Sequence, residues 1–349
     1  MSEFHTLRVS KIEKETPNSV SVAFEIPADI KSSFAHKPGQ YITIKHITEG
    51  NEIRRAYSIH SHPSSELLKV GIKKVEGGTF SVYANTQLKE GDTLEVMPPE
   101  GKFVLDTNEK AKNYYAAFVA GSGITPVLSI IETVLRDEPN SKFLLVYGNK
   151  SQLEAMFHSS LMELKRNYPE RLELEFIYSR SREDNARFGR IDRSIVNYYL
   201  KNKFEFTSFD AFYICGPEPM IDEVSSTLKE NGINEKLIHF ELFTTAEEGL
   251  LVEPHEGETT LTVTVDDETE SFAMPKDTSV LEAVLDKGLD APYSCQGGIC
   301  STCIARITEG KAEMRKNQIL TDSEIAEGLV LTCQAHPTTP TLAVDYDDV

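Results

Sequence analysis

Four cysteines near the C-terminus have the residue type and the spacing that hold an iron-sulfur cluster. Four residues separate Cys295 from Cys300, two separate Cys300 from Cys303, and Cys333 lies further downstream. Four thiolates with this C-x4-C-x2-C…C spacing are typical ligands of a plant-type [2Fe-2S] cluster. We therefore predict a [2Fe-2S] site at these residues and a role for the chain in moving single electrons.

Two other uses of cysteine fit this pattern less well. A zinc site usually combines two short C-x2-C pairs, and the second short pair is missing here. A disulfide needs an oxidising compartment, whereas the chain begins Met-Ser-Glu-Phe-His without an apolar segment that would direct it there. We accordingly predict a cytoplasmic protein with reduced cysteines. The fifth cysteine, Cys215, lies outside the pattern.

Composition and charge narrow the class of protein. A chain of 349 residues, with 40% hydrophobic and 26% charged residues, is long enough for two or three globular domains. The formal net charge of -19 argues against nucleic acid or an anionic membrane surface as a partner. Glycines and a proline interrupt the uncharged stretch 113–131, so we predict a strand followed by a helix there and no membrane span.

Residues 1–108 show short strand patterns separated by turn sequences, and one short helix is predicted at 80–87. Strands are predicted at 7–12, 19–26, 40–44, 68–72 and 93–96. This spacing is typical of an antiparallel β-barrel.

In residues 109–243 the pattern changes to strands that alternate with helices. Strands are predicted at 114–119, 143–147, 172–178, 211–214 and 237–240. The alternation predicts an α/β domain with a doubly wound parallel sheet. Two helix starts also have typical residues: Thr125 before Pro126 predicts a cap and a first-turn proline, and Ser151 with Glu154 fits a capping box.

The last part of the chain follows a polar connection. Residues 244–258 contain five glutamates and a proline, which predicts a weakly structured acidic linker. Residues 259–349 then show a hairpin around Asp266 and Asp267, a helix near 279–287 and strands near 304–308 and 342–345. Strands around one helix, with the cysteine loop at the edge, predict an α+β domain of the β-grasp type.

Two motifs in the first segment suit a flavin nucleotide. Arg55, Tyr57 and Ser58 supply a cation, an aromatic ring and a hydroxyl within four residues. About twenty residues later, Lys74 and Gly78 lead into the predicted helix, and a helix N-terminus receives pyrophosphate well. Taken alone, the first motif also fits a surface arginine beside a packed tyrosine.

Two strand-to-helix turns in the second segment suit a dinucleotide. Gly121 and Gly123 supply the first two glycines of a dinucleotide fingerprint, and Cys215 ends a later strand before Gly216 and Pro217. Because ligands bind at the carboxyl ends of parallel strands, we expect pyrophosphate at the first turn and Cys215 near the nicotinamide ring, provided that both turns face one crevice. A buried structural cysteine is the alternative interpretation.

In this order the motifs resemble the ferredoxin-NADP reductase superfamily fused to a C-terminal plant-type ferredoxin domain. They are Arg-x-Tyr-Ser, Gly-Gly-x-x-Ser, Gly-Ser-Gly-Ile-Thr-Pro, Cys-Gly-Pro-x-x-Met and the four cysteines, and they cover essentially the whole chain. Within the superfamily the chain is most similar to the reductase subunits of ring-1,2-phenylacetyl-CoA epoxidases. Steroid and other ring-hydroxylase reductases share the layout.

The resemblance implies FAD as the flavin and assigns residues to both nucleotides. Arg55 would meet the flavin phosphates, Tyr57 would pack on the isoalloxazine ring, and Ser58 would hydrogen-bond the ring near its reactive nitrogen. The remaining flavin residues are expected to be Ile72, Lys74, Gly78, Thr79, Phe80, Ser81, Glu241 and Phe243. The dinucleotide residues are expected to be Gly121, Gly123, Thr125, Pro126, Cys215, Gly216 and Pro217. Ser58 and Cys215 are our candidates for residues at the reacting atoms.

The choice between NADPH and NADH depends on the residues after the third strand of the sheet. NADPH needs a cation for its 2'-phosphate, whereas NADH needs an acidic residue for the free ribose hydroxyl. Arg180 and Arg182 follow that strand, where an acid would be expected for NADH. We therefore expect NADPH, with NADH as the alternative.

Together these features predict an NAD(P)H-dependent reductase that passes electrons through FAD and a [2Fe-2S] cluster to a partner oxygenase of the diiron or Rieske type. The resemblance points to a phenylacetyl-CoA epoxidase as that partner. A reductase of another ring hydroxylase or of a hybrid-cluster protein is the alternative within the same chemistry. A redox sensor without turnover is the alternative from a different class.

Overall fold

The structure is a computed structural model that describes residues 4–48, 50–205, 207–243 and 257–349. It contains two compact units, one formed by Phe4–Ile53 and Tyr57–Phe243, the other by Arg54–Ala56 with the C-terminal residues. Most of the predicted linker, residues 244–256, lies outside the described residues, and its last residue, Glu258, begins a strand.

Six strands in the N-terminal part of the chain form an antiparallel sheet. They are β1 (His5–Thr16), β2 (Ser19–Glu25), β3 (Tyr41–Thr48), β4 (Asn51–Ser58), β5 (Leu67–Lys73) and β6 (Thr93–Val96). The order is β4-β3-β6-β1-β2-β5, and an antiparallel bridge between Ile59 and Val70 joins the two edges. The predicted antiparallel barrel is confirmed.

Alternate side chains of these strands fill the barrel. Val9, Phe24, Ile42 and Val70 are fully buried in one cluster with Phe80, which comes from helix α1 (Thr79–Thr86). Strand β4 continues through the Arg-Ala-Tyr-Ser motif at residues 55–58. Because side chains alternate along a strand, the arginine and the tyrosine share one face of β4 and the serine takes the other.

The following segment forms a second sheet of six strands with connecting helices. The strands are β7 (Tyr114–Ala120), β8 (Lys142–Asn149), β9 (Leu172–Tyr178), β10 (Ala186–Phe188), β11 (Ala211–Gly216) and β12 (Ile238–Leu242). The helices are α2 (Ile124–Asp137), α3 (His158–Asn167), α4 (Arg193–Tyr198), which continues as a π-helical turn (Tyr199–Lys203), and α5 (Glu218–Glu230). Single 3-10 turns occupy Gly121–Gly123, Gln152–Glu154 and Glu235–Leu237.

The strand order of this sheet places a crevice at β7. The order is β10-β9-β8-β7-β11-β12 and all pairs are parallel, which confirms the predicted doubly wound sheet. The chain runs outward from β7 to β10 and returns to β11 on the other side of β7. Connections that leave neighbouring strands in opposite directions open a crevice outside the carboxyl ends of those strands.

The predicted caps at both helix starts in this segment are wrong, although Pro126 does lie in the first turn of its helix. Helix α2 begins at Ile124 with Gly123 as its N-cap residue, and the Thr125 hydroxyl donates to the Ser122 carbonyl at 3.0 Å instead of capping. Ser151 precedes only a 3-10 turn and makes no side-chain cap. Helix α3 starts seven residues later, after Phe157, whose left-handed φ of 57° is stabilised by a hydrogen bond from its N–H to a carboxylate of β1.

The C-terminal residues form a five-stranded mixed sheet. Its elements are β13 (Glu258–Val265), β14 (Glu268–Pro275), α6 (Val280–Asp286), β15 (Ile304–Met314), α7 (Asp322–Ala326), β16 (Leu329–Leu331) and β17 (Ala335–Asp345). The order is β14-β13-β17-β15-β16, with β13 and β17 parallel and the other pairs antiparallel. Val280, Leu281 and Val284 of α6 are buried in the core of this sheet.

The predicted α+β domain is thus confirmed, and the hairpin turn at Asp266 and Asp267 has left-handed φ at both residues. The short elements α7 and β16 were not predicted. No helix in the described ranges is long and apolar enough to cross a bilayer, which agrees with the interpretation of residues 113–131.

Candidate cofactor and electron-transfer sites

The N-terminus of α1 can receive the phosphates of a nucleotide. Its N-cap residue is Gly78, which has no side chain with which to cap the first-turn N–H groups. A Cβ at Gly78 would lie 2.5 Å from the Ser81 Oγ, which itself accepts the Val75 N–H at 3.2 Å. The predicted residues Thr79 and Phe80 complete this first turn. The first-turn N–H groups of α1 are therefore not capped by a side chain, and a helix N-terminus of this kind can receive a phosphate.

The Arg-x-Tyr-Ser motif presents a cation and an aromatic ring on β4. Arg55 is exposed, and its Nη1 donates to the Arg54 carbonyl at 2.8 Å. Tyr57 is half-buried, with its ring centroid 5.6 Å from that of Phe80. The Tyr57 and Phe80 rings thus lie next to each other, and Phe80 comes from the first turn of α1.

Other expected flavin residues occupy different environments. The Ile72 side chain is fully buried in the barrel core. Lys74 is exposed, and its backbone N–H donates to the Asn18 carbonyl. Phe243 follows β12 and is 37% exposed.

Lys73, which the sequence interpretation passed over, lies at the dinucleotide turn. Its Nζ is 3.5 Å from the position that a Cβ on Gly121 would take. Burial lowers the pKa of Lys73, and the carboxylate of Glu154 partly offsets this effect. The signal that could have found it is strand alternation, since Lys73 and its neighbour at the end of β5 must point to opposite faces.

Three buried polar side chains meet although they come from distant parts of the chain. The Ser58 hydroxyl donates to the Glu241 carboxylate at 3.4 Å, and Cys215 is the register partner of Glu241 in the β11–β12 pair. Burial, reinforced by the charge of Glu241, raises the pKa of the Cys215 thiol well above its usual value. Cys215 therefore stays protonated at neutral pH, and the Ser58 hydroxyl and the Glu241 carboxylate form a hydrogen-bonded pair.

The two predicted dinucleotide turns lie against each other. A Cβ at Gly123 would be 2.3 Å from the Cys215 carbonyl oxygen and 3.0 Å from the Cys215 Sγ, so only glycine permits this contact. A Cβ at Gly216 would lie 3.1 Å from the Ala120 Cβ. The carboxyl ends of β7 and β11 thus form one continuous wall, as the sequence interpretation required.

The remaining residues of these turns differ in their exposure. Thr125 and Pro126 are buried within α2 and support the turn from below. Pro217 is exposed and is the N-cap residue of α5.

An exposed aromatic ring accompanies the two arginines after β9. The Arg182 guanidinium lies 4.5 Å from the centroid of the Phe188 ring, and Phe188 is 53% exposed at the end of β10. The Arg180 side chain is exposed, and its N–H donates to the Lys150 carbonyl at 2.9 Å. Phe188 was not predicted, although a single phenylalanine in an otherwise polar stretch is a signal for a stacking surface.

The four C-terminal cysteines form two pairs. Cys300 donates a hydrogen bond to Cys295, which lowers the pKa of Cys295 to about 7, and the same bond raises the pKa of Cys300. Likewise the thiols of Cys303 and Cys333 share a hydrogen bond, which raises the pKa of Cys303 well above its usual value. Across the described ranges, no three or more His, Cys, Asp or Glu side chains are grouped as a single metal ion would need. Two thiol pairs fit a two-iron cluster, in which each iron needs two protein thiolates.

The backbone of the cysteine loop donates to a cysteine sulfur and packs tightly at a glycine. Gly297 N–H donates to the Cys295 Sγ at 3.3 Å, and Gln296 adopts a left-handed φ of 53°. A Cβ at Gly298 would lie 2.6 Å from the Lys316 carbonyl oxygen, so this tight packing requires glycine. N–H donors that point at cysteine sulfur stabilise thiolate and tune a bound cluster. The residues present therefore fit a [2Fe-2S] cluster.

Comparison with known proteins gives the same three-part division. Three family models match consecutive ranges: an oxidoreductase FAD-binding domain at residues 6–105, an oxidoreductase NAD-binding domain at 118–226 and a 2Fe-2S iron-sulfur cluster binding domain at 263–338. The chain is therefore a flavin-dependent oxidoreductase of the ferredoxin-NADP reductase superfamily with a C-terminal [2Fe-2S] domain, and its cofactors are FAD, a nicotinamide dinucleotide and the cluster.

Individual relatives narrow this class. The chain is 38% identical to a subunit of the 1,2-phenylacetyl-CoA epoxidase of Escherichia coli K12, over 99% of both chains. It is 31% identical to the ferredoxin reductase component of 3-ketosteroid-9-alpha-monooxygenase from Rhodococcus rhodochrous, over 97% of this chain and 96% of that one. The structure of phthalate dioxygenase reductase has the same fold, with a TM-score of 0.61 at 21% identity over 98% of each chain. The chain belongs to the family of these oxygenase reductase components.

Proposed function

We propose that this chain is the reductase component of a phenylacetyl-CoA epoxidase and delivers electrons from NADPH to the oxygenase component. The observation that carries the proposal is the 38% identity to the E. coli epoxidase protein over 99% of both chains, which leaves no domain of either protein unmatched. The 31% identical ketosteroid monooxygenase component makes another oxygenase the competing partner.

When bound, FAD accepts a hydride from the dinucleotide and releases the electrons singly, and the [2Fe-2S] cluster carries one electron at a time. Toward this chemistry the chain contributes the buried Ser58–Glu241 pair, whose hydroxyl and carboxylate lie 3.4 Å apart. The Ser58 hydroxyl would hydrogen-bond the flavin ring near its reactive nitrogen, beside the Glu241 carboxylate. Arg55 and the first turn of α1 would hold the flavin phosphates.

The crevice between β7 and β11 would bind the dinucleotide. Backbone N–H groups of Gly121–Gly123 and the Lys73 ammonium would receive its pyrophosphate. Cys215 would border the nicotinamide as a neutral thiol, because its raised pKa keeps it from acting as a nucleophile. Its role is thus to shape and exclude water from the site.

The adenosine end of NADPH would be recognised by the exposed residues after β9, which are Arg180, Arg182 and Phe188. The Phe188 ring offers a flat surface to the adenine, and Arg182 lies over that ring. Arg180 and Arg182 would provide the charge for the 2'-phosphate.

Reconstitution tests the proposal. The purified holoprotein is combined with the other subunits of the E. coli epoxidase, phenylacetyl-CoA and either NADPH or NADH, and the oxygenated CoA ester is measured by mass spectrometry. We expect product with NADPH and a lower rate with NADH. Ferricyanide and cytochrome c reduction by the reductase alone are measured in parallel.

The parallel assays separate the parts of the proposal. Cytochrome c reduction without any epoxide would leave the reductase activity in place and contradict the proposed partner. Equal turnover with NADPH and NADH would contradict the cofactor preference. A flavin-free protein that reduces neither acceptor would contradict the site assignment.

A further inference from the structure

The carbonyl of Gly121 is held from beneath the dinucleotide turn by a tyrosine of the neighbouring strand. Tyr147 lies on β8 and is fully buried, and its hydroxyl is 2.9 Å from the Gly121 oxygen. The same hydroxyl is 3.4 Å from the Met156 oxygen. A hydroxyl has one proton to donate, so the shorter contact to Gly121 is the better hydrogen bond.

The Gly121 carbonyl also accepts the Ile124 N–H within the 3-10 turn, and the Tyr147 hydroxyl adds a second hydrogen bond that restrains which way the Gly121–Ser122 peptide faces. The described part of the chain contains no cis peptide bond, so the N–H of Ser122 points away from the Gly121 carbonyl. Tyr147 draws that carbonyl toward the protein interior, and the Ser122 N–H is thereby directed to the opposite side. Gly121 itself has a left-handed φ of 57°, a conformation from which a glycine peptide rotates easily.

We propose that Tyr147 is a positioning residue for the dinucleotide: it fixes the Gly121–Ser122 peptide so that an N–H, and not a carbonyl oxygen, faces the pyrophosphate. This inference rests on the proposed function, because it takes the Gly121–Gly123 turn as the pyrophosphate site. Burial raises the pKa of Tyr147, so its hydroxyl remains a donor across the working pH range. Lys73 ends β5, and its Nζ reaches this turn, so it would place its charge beside the oriented N–H.

The same sheet offers a matched control. Tyr115 is 3% exposed on β7, and its hydroxyl donates to the Glu138 carboxylate at 3.0 Å. It lies near the amino end of β7, whereas Tyr147 lies near the carboxyl end of β8. Tyr115→Phe therefore removes a buried tyrosine hydrogen bond from the same sheet without touching the turn.

The test compares Tyr147→Phe with Tyr115→Phe in the holoprotein. Dissociation constants for NADP+ and NAD+ are measured by calorimetry, alongside Tm and flavin content. We expect Tyr147→Phe to weaken both dinucleotides about 3- to 10-fold, as the loss of one hydrogen bond implies. The factor should be the same for NADP+ and NAD+, because both carry the pyrophosphate. Tyr115→Phe should lower Tm and leave both dissociation constants unchanged.

Each contrary result has a separate meaning. Unchanged binding in Tyr147→Phe, with a wild type that binds either dinucleotide, would overturn the inference alone. Equal weakening in both variants would show that the effect is a general loss of stability and would also overturn it. A wild type that binds neither dinucleotide would overturn the proposed function and this inference together.

Discussion

The residues of the cysteine loop lie close together in the sequence, whereas those of the dinucleotide crevice are far apart. Cys295, Cys300 and Cys303 lie within nine consecutive residues, and the antiparallel pair of β15 and β16 brings Cys333 beside Cys303. In the crevice, by contrast, Ser58 donates to a glutamate that lies 183 positions later. The spacing of the cysteines alone identifies the cluster ligands. The crevice, by contrast, forms only once the barrel and the parallel sheet have folded.

This difference predicts that the two sites fail independently. A change in the loop should remove the [2Fe-2S] cluster and leave the flavin-dependent activity intact, because the two sites are built from different parts of the chain. A change in the crevice should slow electron entry and leave the cluster in place. Variants in each site test this separation, beginning with the largest expected effect.

Replacing Cys300 by Ser should abolish the cluster absorbance and the reduction of cytochrome c. The change removes one member of the Cys295–Cys300 pair, and a hydroxyl is a poor ligand for iron in place of a thiolate. NADPH-dependent reduction of ferricyanide should be retained, because it needs only the flavin. Visible spectra, iron content and the two acceptor assays provide the measurement. Loss of both activities in a protein that keeps its flavin would mean that the two sites are not separable.

Ser58→Ala should affect the flavin site and spare the cluster: the reduction of the flavin should be slowed and the cluster spectrum should be unchanged. Loss of one positioned donor at a reacting group typically lowers the rate by about 10²- to 10³-fold. Stopped-flow reduction by NADPH, in protein of verified flavin content, measures the rate.

Ser61→Ala is the control for this rate. Ser61 is also buried in the barrel, but its hydroxyl accepts the Lys69 N–H and is not bonded to Glu241. It should lose some stability and keep the rate of the wild type. A similar slowing in both variants would assign the effect of Ser58→Ala to disturbed packing.

The comparison also explains what the sequence revealed about the fold. Strands 93–96 and 172–178 were predicted with the bounds observed for β6 and β9, because alternation and turn residues define them locally. The caps predicted at Thr125 and Ser151 were wrong because distant residues decide where these helices begin. Gly123 packs on the Cys215 carbonyl and caps α2, while the Glu15 carboxylate of β1 accepts the Phe157 N–H before α3.

The two candidate sites also differ in how much of each could be identified from the sequence. The cysteines could be selected by spacing alone, and their pairing follows once β15 and β16 are adjacent. Lys73, Tyr147 and Phe188 could not be selected in this way. Their positions matter only because of the turn or strand end that each one meets, and no local pattern specifies that neighbour.

Exchanging both Arg180 and Arg182 for Ala should raise the KM for NADPH about tenfold more than the KM for NADH, since exposed charge-assisted hydrogen bonds to a phosphate are of this order. The difference should shrink at high salt. Steady-state ferricyanide assays with each dinucleotide provide the values. The control exchanges two exposed arginines away from this site, Arg8 on β1 and Arg166 near the end of α3, for Ala and so changes the net charge by the same two units. Equal effects on NADPH and NADH would remove the basis for the NADPH preference.

The last expected effect concerns stability in acid and falls on the side of the barrel and the parallel sheet. Burial lowers the pKa of His60 from 6.5 to about 3, and a hydrogen bond joins its Nε2 to the Ser21 hydroxyl. The unfolded chain binds this proton below pH 6.5 and the folded chain does not, so the stability that neutral His60 provides is present above pH 6.5 and is lost as the pH falls toward 3. The unfolding free energy should therefore fall by up to about 1.4 kcal/mol per pH unit in this window, in addition to other groups. Urea unfolding followed by flavin fluorescence should show a shallower slope for His60→Gln than for the wild type and for His5→Gln on β1. An identical slope in all three proteins would mean that His60 takes up its proton in the folded state.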